Sequence, residues 1–195
     1  MRRHGKTGAS ETAAIRVELT FGCPAFLCLL GCVWTWRGML YFLCALLLHE
    51  LGHCAALRWL RVPVRRVRLG FGDVEMETTA LGYREELISA WAGPFVNLML
   101  GGAFFRIAPP FATVQLLLGC YNLLPVVPLD GGRMLSAALH RLLPERAARR
   151  LCRIWSLLAA VCLLALGLYA AGHGGLLPLL IALGLCARLA LTEAG

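Results

Sequence analysis

The chain has 195 residues, of which 59% are hydrophobic and 15% charged, and its mean hydropathy is +0.71. These values exclude an ordinary soluble globular domain and predict an integral membrane protein with little room for a separate soluble domain. The net charge is +8, but the placement of the basic residues relative to the apolar runs explains this charge without nucleic-acid binding.

Apolar runs follow one another along the whole chain and predict an all-α membrane protein with about six transmembrane helices. The runs cover residues 20–36, 39–59, 86–107, 111–124, 152–171 and 175–191. We expect a membrane domain at 19–191 between an N-terminal tail, 1–18, and a C-terminal tail, 192–195. The first run contains Trp34 and Trp36 and no small-residue cleavage pattern, which favours a retained helix over the alternative of a cleaved signal peptide.

The basic residues predict the orientation of these helices in the cell membrane. With a cytoplasmic N-terminus, all 19 basic residues except Arg37 and Arg106 fall on the cytoplasmic side. Basic residues near the ends of spans are retained on that side. We therefore expect a multi-pass protein whose N-terminal tail is cytoplasmic.

The second apolar run contains the pattern HExxH, as His49-Glu50-Leu51-Gly52-His53. Two histidines four residues apart on a helix share one face, so both imidazoles can reach a single metal ion, and the glutamate between them can act on its water. If the helix enters from outside near Met39, His49 lies about 15 Å deep, near or somewhat past the midplane, so the metal would be reached more easily from the cytoplasm. The alternative is a chance match in an interfacial helix.

Residues 64–79 alternate apolar and charged side chains on both sides of a turn at 70–72, which predicts a small interfacial β-hairpin. The facing pairs would be Arg66 with Glu77, Val67 with Met76, and Arg68 with Glu75. The edge of this hairpin can receive an extended strand of a substrate by β-addition. The alternative is an inert amphipathic hairpin packed on the helices.

A catalytic zinc site commonly takes three protein ligands, and Asp130 is the better of the two aspartates for the third. Asp73 lies in the charged hairpin segment. Asp130 follows the short fourth run within Asn122-Leu-Leu-Pro-Val-Val-Pro-Leu-Asp-Gly-Gly-Arg133, and that run, 111–124, covers only about 21 Å as a helix. The proline-broken stretch after it would stay at membrane depth, where a water-filled pocket tolerates it. The alternative is a turn that caps a helix at 133–143.

Three motifs in this order and spacing resemble those of the site-2 proteases, a family of intramembrane zinc metalloproteases. Two of them are the HExxH pattern at 49–53 and the Asn-x-x-Pro-x-x-Pro-Leu-Asp-Gly-Gly pattern at 122–132. Between these two lies Gly93-Pro94-Phe95-Val96-Asn97, which is similar to the family's Gly-Pro-x-x-Asn signature. The resemblance extends over about residues 20–191.

The resemblance implies a role for each matching residue. His49, His53 and Asp130 would bind Zn²⁺, and Glu50 would be the catalytic acid and base. The remaining site residues, Asn97 and Asn122, would bind substrate or support the developing oxyanion. For Asn97, hydrogen bonding between helices is an equal alternative.

Within the family, the small six-helix architecture most resembles the branch of stage IV sporulation protein FB, whose members release a membrane-associated transcription factor precursor. The chain carries neither the CBS domain of the longer members of that branch nor a PDZ-sized insertion between its motifs. The resemblance implies a membrane-bound protein substrate, contact with the lipid bilayer and, as a further partner, a regulatory membrane protein.

Buried histidines and an aspartate can also line an ion path, so the alternative to a protease is a membrane metal transporter or a non-proteolytic metal-binding protein. That alternative gives Glu50 no role. Transporters of this kind often contain internal repeats, and the sequence shows none. A catalytically silent relative would not need the intact glutamate either.

Overall fold

The structure is a computed structural model, and it describes residues 16–19, 35–69, 74–173, 182–186 and 189. Five helices and three strands make up most of this part of the chain. The helices are α1 (Trp36–Trp59), α2 (Tyr83–Phe104), α3 (Pro109–Asn122), α4 (Asp130–Leu142) and α5 (Glu145–Gly172). The strands are β1 (Arg16–Leu19), β2 (Val64–Leu69) and β3 (Val74–Thr78). Most of the two predicted outermost helices, 20–36 and 175–191, lies outside the described residues.

Local sequence signals account for where several helices begin. The Thr35 hydroxyl accepts a hydrogen bond from the Gly38 amide at 3.3 Å and so caps the start of α1. At the start of α2, the Glu85 carboxylate accepts from the Gly82 amide at 2.8 Å. Prolines supply the first residues of α3 and the residue before α5, where a missing amide hydrogen costs nothing.

The helices α1, α2 and α5 are long and apolar enough to cross a membrane. They also carry their apolar side chains outward: Leu47 and Leu51 of α1, and Leu158 and Leu166 of α5, are exposed. A soluble helix would bury such a face, so these side chains are suited to lipid contact. The described chain is therefore an all-α membrane protein in class, with a small sheet attached.

The interior of the helix assembly is unusually polar. Its buried polar side chains are His49, His53, Ser89, Asn97, Gln115, Asp130 and Ser156. The apolar core that accompanies them is small and centres on Val126, Leu129 and Leu185. A polar interior with an apolar exterior concentrates the ionisable groups between α1, α2, α3 and α4. Of these helices, α2 packs against the other three, and α1 also contacts α3.

The strands form one sheet in the order β1-β2-β3. The strands β2 and β3 pair antiparallel in the register that the charge alternation predicts, with Arg68 opposite Glu75 and Val67 opposite Met76. The predicted turn at 70–72 lies outside the described residues, and the position of the sheet at a membrane interface stays a prediction.

The sequence analysis did not predict the third strand. β1 pairs parallel with β2, and its Glu18 carboxylate lies 3.3 Å from the Arg66 guanidinium. β1 spans the predicted boundary between the tail, 1–18, and the membrane domain, so the end of that tail is part of the sheet.

Candidate metal centre

The helix α1 presents His49 and His53 on its one tightly packed face. Gly52 lies on this face against α2, where a β-carbon would be only 2.7 Å from the Ala92 carbonyl oxygen. The absence of a side chain therefore lets the two helix backbones approach closely. Both histidines are buried in the resulting interface.

Asp130 of α4 completes a compact group with the two histidines. The Nε2 atoms of His49 and His53 are 3.1 Å apart, and they lie 3.1 and 3.2 Å, respectively, from Asp130 Oδ2. His49 and Asp130 are 81 positions apart in the sequence. The structure thus brings together the three residues that the sequence analysis named as metal ligands.

The remaining ring nitrogens show how the imidazoles are oriented. His49 Nδ1 donates a hydrogen bond to Asn97 Oδ1 at 2.8 Å, and His53 Nδ1 donates to the Ser89 carbonyl oxygen at 2.7 Å. A neutral imidazole that carries its proton on Nδ1 has a lone pair on Nε2. Two such lone pairs and a carboxylate oxygen therefore converge within 3.2 Å, an arrangement that a cation stabilises.

The dimensions of this group fit zinc. Tetrahedral zinc with bonds of about 2.0–2.1 Å to its ligands separates neighbouring ligand atoms by about 3.3 Å. The observed separations of 3.1–3.2 Å are close to that value. Two imidazoles held by hydrogen bonds at Nδ1, with one carboxylate, are also the ligand types expected of a catalytic zinc site. His49, His53 and Asp130 can therefore hold Zn²⁺ and leave a fourth position open.

Asp130 is the first residue of α4, and its side chain does not cap that helix. Its negative charge is favourable at the positive end of the helix dipole. The two glycines that follow it lie against the chain that leads to the helix: β-carbons there would meet the Leu123 carbonyl oxygen at 2.2 Å and the Val126 carbonyl carbon at 2.3 Å. The Asp-Gly-Gly pattern thus lets α4 begin directly beside the preceding turn.

Asn97 is fully buried and links three helices. Besides accepting from His49, its side-chain nitrogen donates to the Ala45 carbonyl oxygen of α1 at 3.3 Å and to Gln115 Oε1 of α3 at 2.6 Å. These contacts favour the second of the two interpretations of Asn97, hydrogen bonding between helices, and they orient the His49 ring.

Asn122 and Glu50 lie in less enclosed positions. Asn122 is partly buried, and its amide donates to the Leu118 carbonyl oxygen of its own helix at 3.1 Å. Glu50 follows His49 on α1 and is partly buried. The roles of Asn122 in substrate binding and of Glu50 in catalysis stay predictions.

The likeness to known proteins extends beyond the site. The fold matches a solved structure described as a site-2 protease from Methanocaldococcus jannaschii, with a TM-score of 0.69 and 21% identity, over 87% of this chain and 86% of that one. The profile of peptidase family M50 matches residues 106–166, which include Asp130. A protein of Mycobacterium tuberculosis named as zinc metalloprotease Rip3 is 37% identical over 163 residues.

The chain belongs to the site-2 protease family. A further relative is stage IV sporulation protein FB of Bacillus subtilis, which is 33% identical over 128 residues, or 59% of this chain. The alignment with Rip3 covers 71% of this chain. The chain spans less than half the length of these two relatives, 40% of Rip3 and 44% of the sporulation protein.

Three features of this site-2 protease chain were not recognised as parts of the site from sequence. Gly93 was named only as the first residue of the Gly-Pro-x-x-Asn motif, with no role at the site, yet a β-carbon there would lie 2.5 Å from His53 Nε2. Gln115 accepts a hydrogen bond from Asn97. The sequence does contain a signal for Gln115, because it is the only glutamine of the chain and it lies in an apolar run. The Ser89 carbonyl is a backbone group, for which no sequence signal exists.

Proposed function

We propose that the protein is an intramembrane zinc metalloendopeptidase, which hydrolyses a peptide bond within or next to a transmembrane segment of a membrane-bound protein. The observation that carries the proposal is the group of two imidazole nitrogens and one carboxylate oxygen within 3.2 Å of one another, buried beside an apolar helix long enough to cross a membrane. Membership of the site-2 protease family supports the same activity.

Each residue of the site would have a separate task. Zinc held by His49, His53 and Asp130 would supply Lewis-acid activation of water and of the peptide carbonyl. Glu50 would accept the proton of the attacking water and then deliver it to the leaving amide nitrogen. Asn97 would keep the His49 ring in place, and Asn122 would contact the substrate chain.

We further propose the orientation that the basic residues predict: six crossings of the cell membrane, with the N-terminus and the opening of the site in the cytoplasm. The substrate would then be a membrane-bound transcription factor precursor or its regulator, and a regulatory membrane protein would control access. The likeness to stage IV sporulation protein FB supports this substrate class and a connection with sporulation.

The activity is tested by expressing wild type beside Glu50→Gln and comparing membrane-retained with released protein fragments. We expect a polypeptide to accumulate uncut in the variant, because glutamine keeps the shape of glutamate but cannot accept the proton. Zinc content should stay that of wild type. Glu145→Gln is the matched control, since Glu145 is exposed on α5 and pairs only with Arg149 in the contacts described. Identical fragment patterns in wild type and Glu50→Gln would contradict proteolysis, and zinc-free wild type would contradict the metal site.

A helical substrate hides its peptide carbonyls in hydrogen bonds, so it must be unwound before cleavage. We propose that β3 receives the unwound segment by β-addition. In the sheet order β1-β2-β3, β2 is paired on both sides, and β3 has no strand beyond it among the described residues. The outer strands β1 and β3 are therefore the two edges of the described sheet, and β3 is the edge that belongs to the predicted hairpin.

Proline and alanine at neighbouring β3 positions test this edge. Successive amides of a strand point to opposite sides, so proline at Glu75 and at Met76 removes one donor that faces β2 and one that faces the edge. We expect the edge-facing proline to reduce cleavage about tenfold with zinc content and thermal stability unchanged, since about 1.4 kcal/mol of hydrogen bonding is lost. Glu75→Ala and Met76→Ala keep the donors and should cleave normally. Proline variants that both cleave at the wild-type rate would rule out binding at this edge.

A further inference from the structure

The two carboxylate oxygens of Asp130 have different surroundings. Oδ2 faces both histidine rings, at 3.1 and 3.2 Å from their Nε2 atoms. Oδ1 faces the guanidinium of Arg133, one helical turn further along α4, whose Nη1 lies 3.2 Å away. Only one oxygen of this buried carboxylate is therefore directed at the metal position.

Arg133 is itself held from the opposite direction. Its Nε donates to Glu86 Oε1 at 2.9 Å, and Glu86 lies in the first turn of α2. Two different edges of one guanidinium thus contact two carboxylates on two helices. The side chains of Arg133 and Glu86 are 36% and 26% exposed, whereas that of Asp130 is 7% exposed.

We propose that Arg133 is a positioning residue that restricts Asp130 to binding zinc through a single oxygen, and that Glu86 holds Arg133 in the required orientation. The inference rests on the proposed zinc site. A carboxylate can bind a metal through one or both oxygens, and binding through both would occupy the fourth position, which a catalytic zinc keeps for water or substrate. The hydrogen bond from Arg133 engages Oδ1 and so keeps that position open.

The guanidinium is suited to this task, and an ammonium group is not. A planar guanidinium presents donors in fixed directions, so Nε can bind Glu86 while Nη1 binds Asp130. The single nitrogen of a lysine would keep the positive charge but could not reproduce both contacts at these angles. Charge alone would therefore not replace Arg133.

A cavity of about 460 Å³ beside this residue provides a matched comparison. Both Arg133 and Arg141 of α4 line it, together with Glu86 and Tyr83 of α2. The Arg141 guanidinium lies over the Tyr83 ring at 4.9 Å and takes no part in the contacts around Asp130. Arg141→Gln therefore removes the same charge from the same helix and the same cavity without removing the contact to Asp130.

The test uses the full chain in detergent, with zinc affinity measured by chelator competition and the coordination of cobalt, substituted for zinc, measured by visible absorption. We expect Arg133→Gln to weaken zinc binding about 10- to 100-fold, as loss of a residue that orients a metal ligand does. We also expect its cobalt absorption spectrum to differ from that of wild type, because a second carboxylate oxygen in the fourth position would replace water and distort the tetrahedral arrangement of the ligands. Arg141→Gln should retain both wild-type properties.

Two further variants keep the inference testable if Arg133→Gln does not fold. Arg133→Lys should resemble Arg133→Gln in its cobalt spectrum, and Glu86→Gln should change the spectrum in the same direction but less. Wild-type spectra and zinc affinity in Arg133→Gln, or in both further variants, would overturn the inference and leave the proposed protease intact. Failure of the wild-type protein to bind zinc or cobalt would instead overturn the proposed function.

Discussion

Replacing Gly93 with alanine is expected to abolish zinc binding and peptide cleavage. The added β-carbon would lie 2.5 Å from His53 Nε2 and 2.8 Å from His49 Cε1, so it contacts both rings at once. The rings cannot move away freely, because Nδ1 of each is bonded to a buried oxygen, on Asn97 and on Ser89. We expect zinc affinity to fall by at least about 100-fold, since displacement of both imidazoles exceeds the loss of one supporting contact.

Zinc content, peptide cleavage and thermal stability of Gly93→Ala are measured and compared with those of wild type. Alanine favours a helix over glycine by about 1 kcal/mol, so α2 itself should not be weakened. Gly102→Ala, on the same helix, is the matched control, because nothing lies within 4 Å of a β-carbon there. If Gly93→Ala bound zinc as wild type does, the position of the two rings in this structure would be wrong.

Replacing Asn97 with leucine is expected to weaken both the fold and the metal centre. Leucine has a similar volume but leaves His49 Nδ1 without its acceptor and removes a donor from the Ala45 carbonyl and from Gln115 Oε1. Each buried polar group left without a partner costs about 1–3 kcal/mol. Zinc affinity should fall about 10- to 100-fold, because the His49 ring loses the contact that orients it.

Asn122→Leu tests whether Asn122 differs from Asn97 in its role, since the sequence analysis gives both asparagines the same role in substrate binding. Its amide bonds only to its own helix among the contacts described, so zinc affinity and thermal stability should stay near those of wild type. Reduced cleavage with zinc intact would support its predicted role in substrate binding. A loss of zinc from Asn122→Leu that equals the loss from Asn97→Leu would contradict the distinction drawn from their contacts.

Much of this protein follows from local patterns in the sequence. The spacing of His49 and His53 depends only on helical periodicity, and the register of β2 with β3 depends only on alternation about a short turn. The start of α5 after Pro144 depends on the same kind of local signal. Membrane insertion follows from composition. Each of these properties arises among residues that are close in the chain, where backbone geometry alone sets the distances.

Only the tertiary structure decided how distant segments meet. Asp130 lies 81 residues from His49, and its approach depends on the packing of α4 against the chain before it. The sequence left two roles open for Asn97, substrate binding and hydrogen bonding between helices, and its contacts in the structure favour the second. The backbone carbonyl of Ser89, which accepts from His53, carries no sequence signal at all. The pairing of β1 with β2 joins segments on either side of α1. Such contacts depend on how helices pack, and packing distances are not encoded in the periodicity of any single segment.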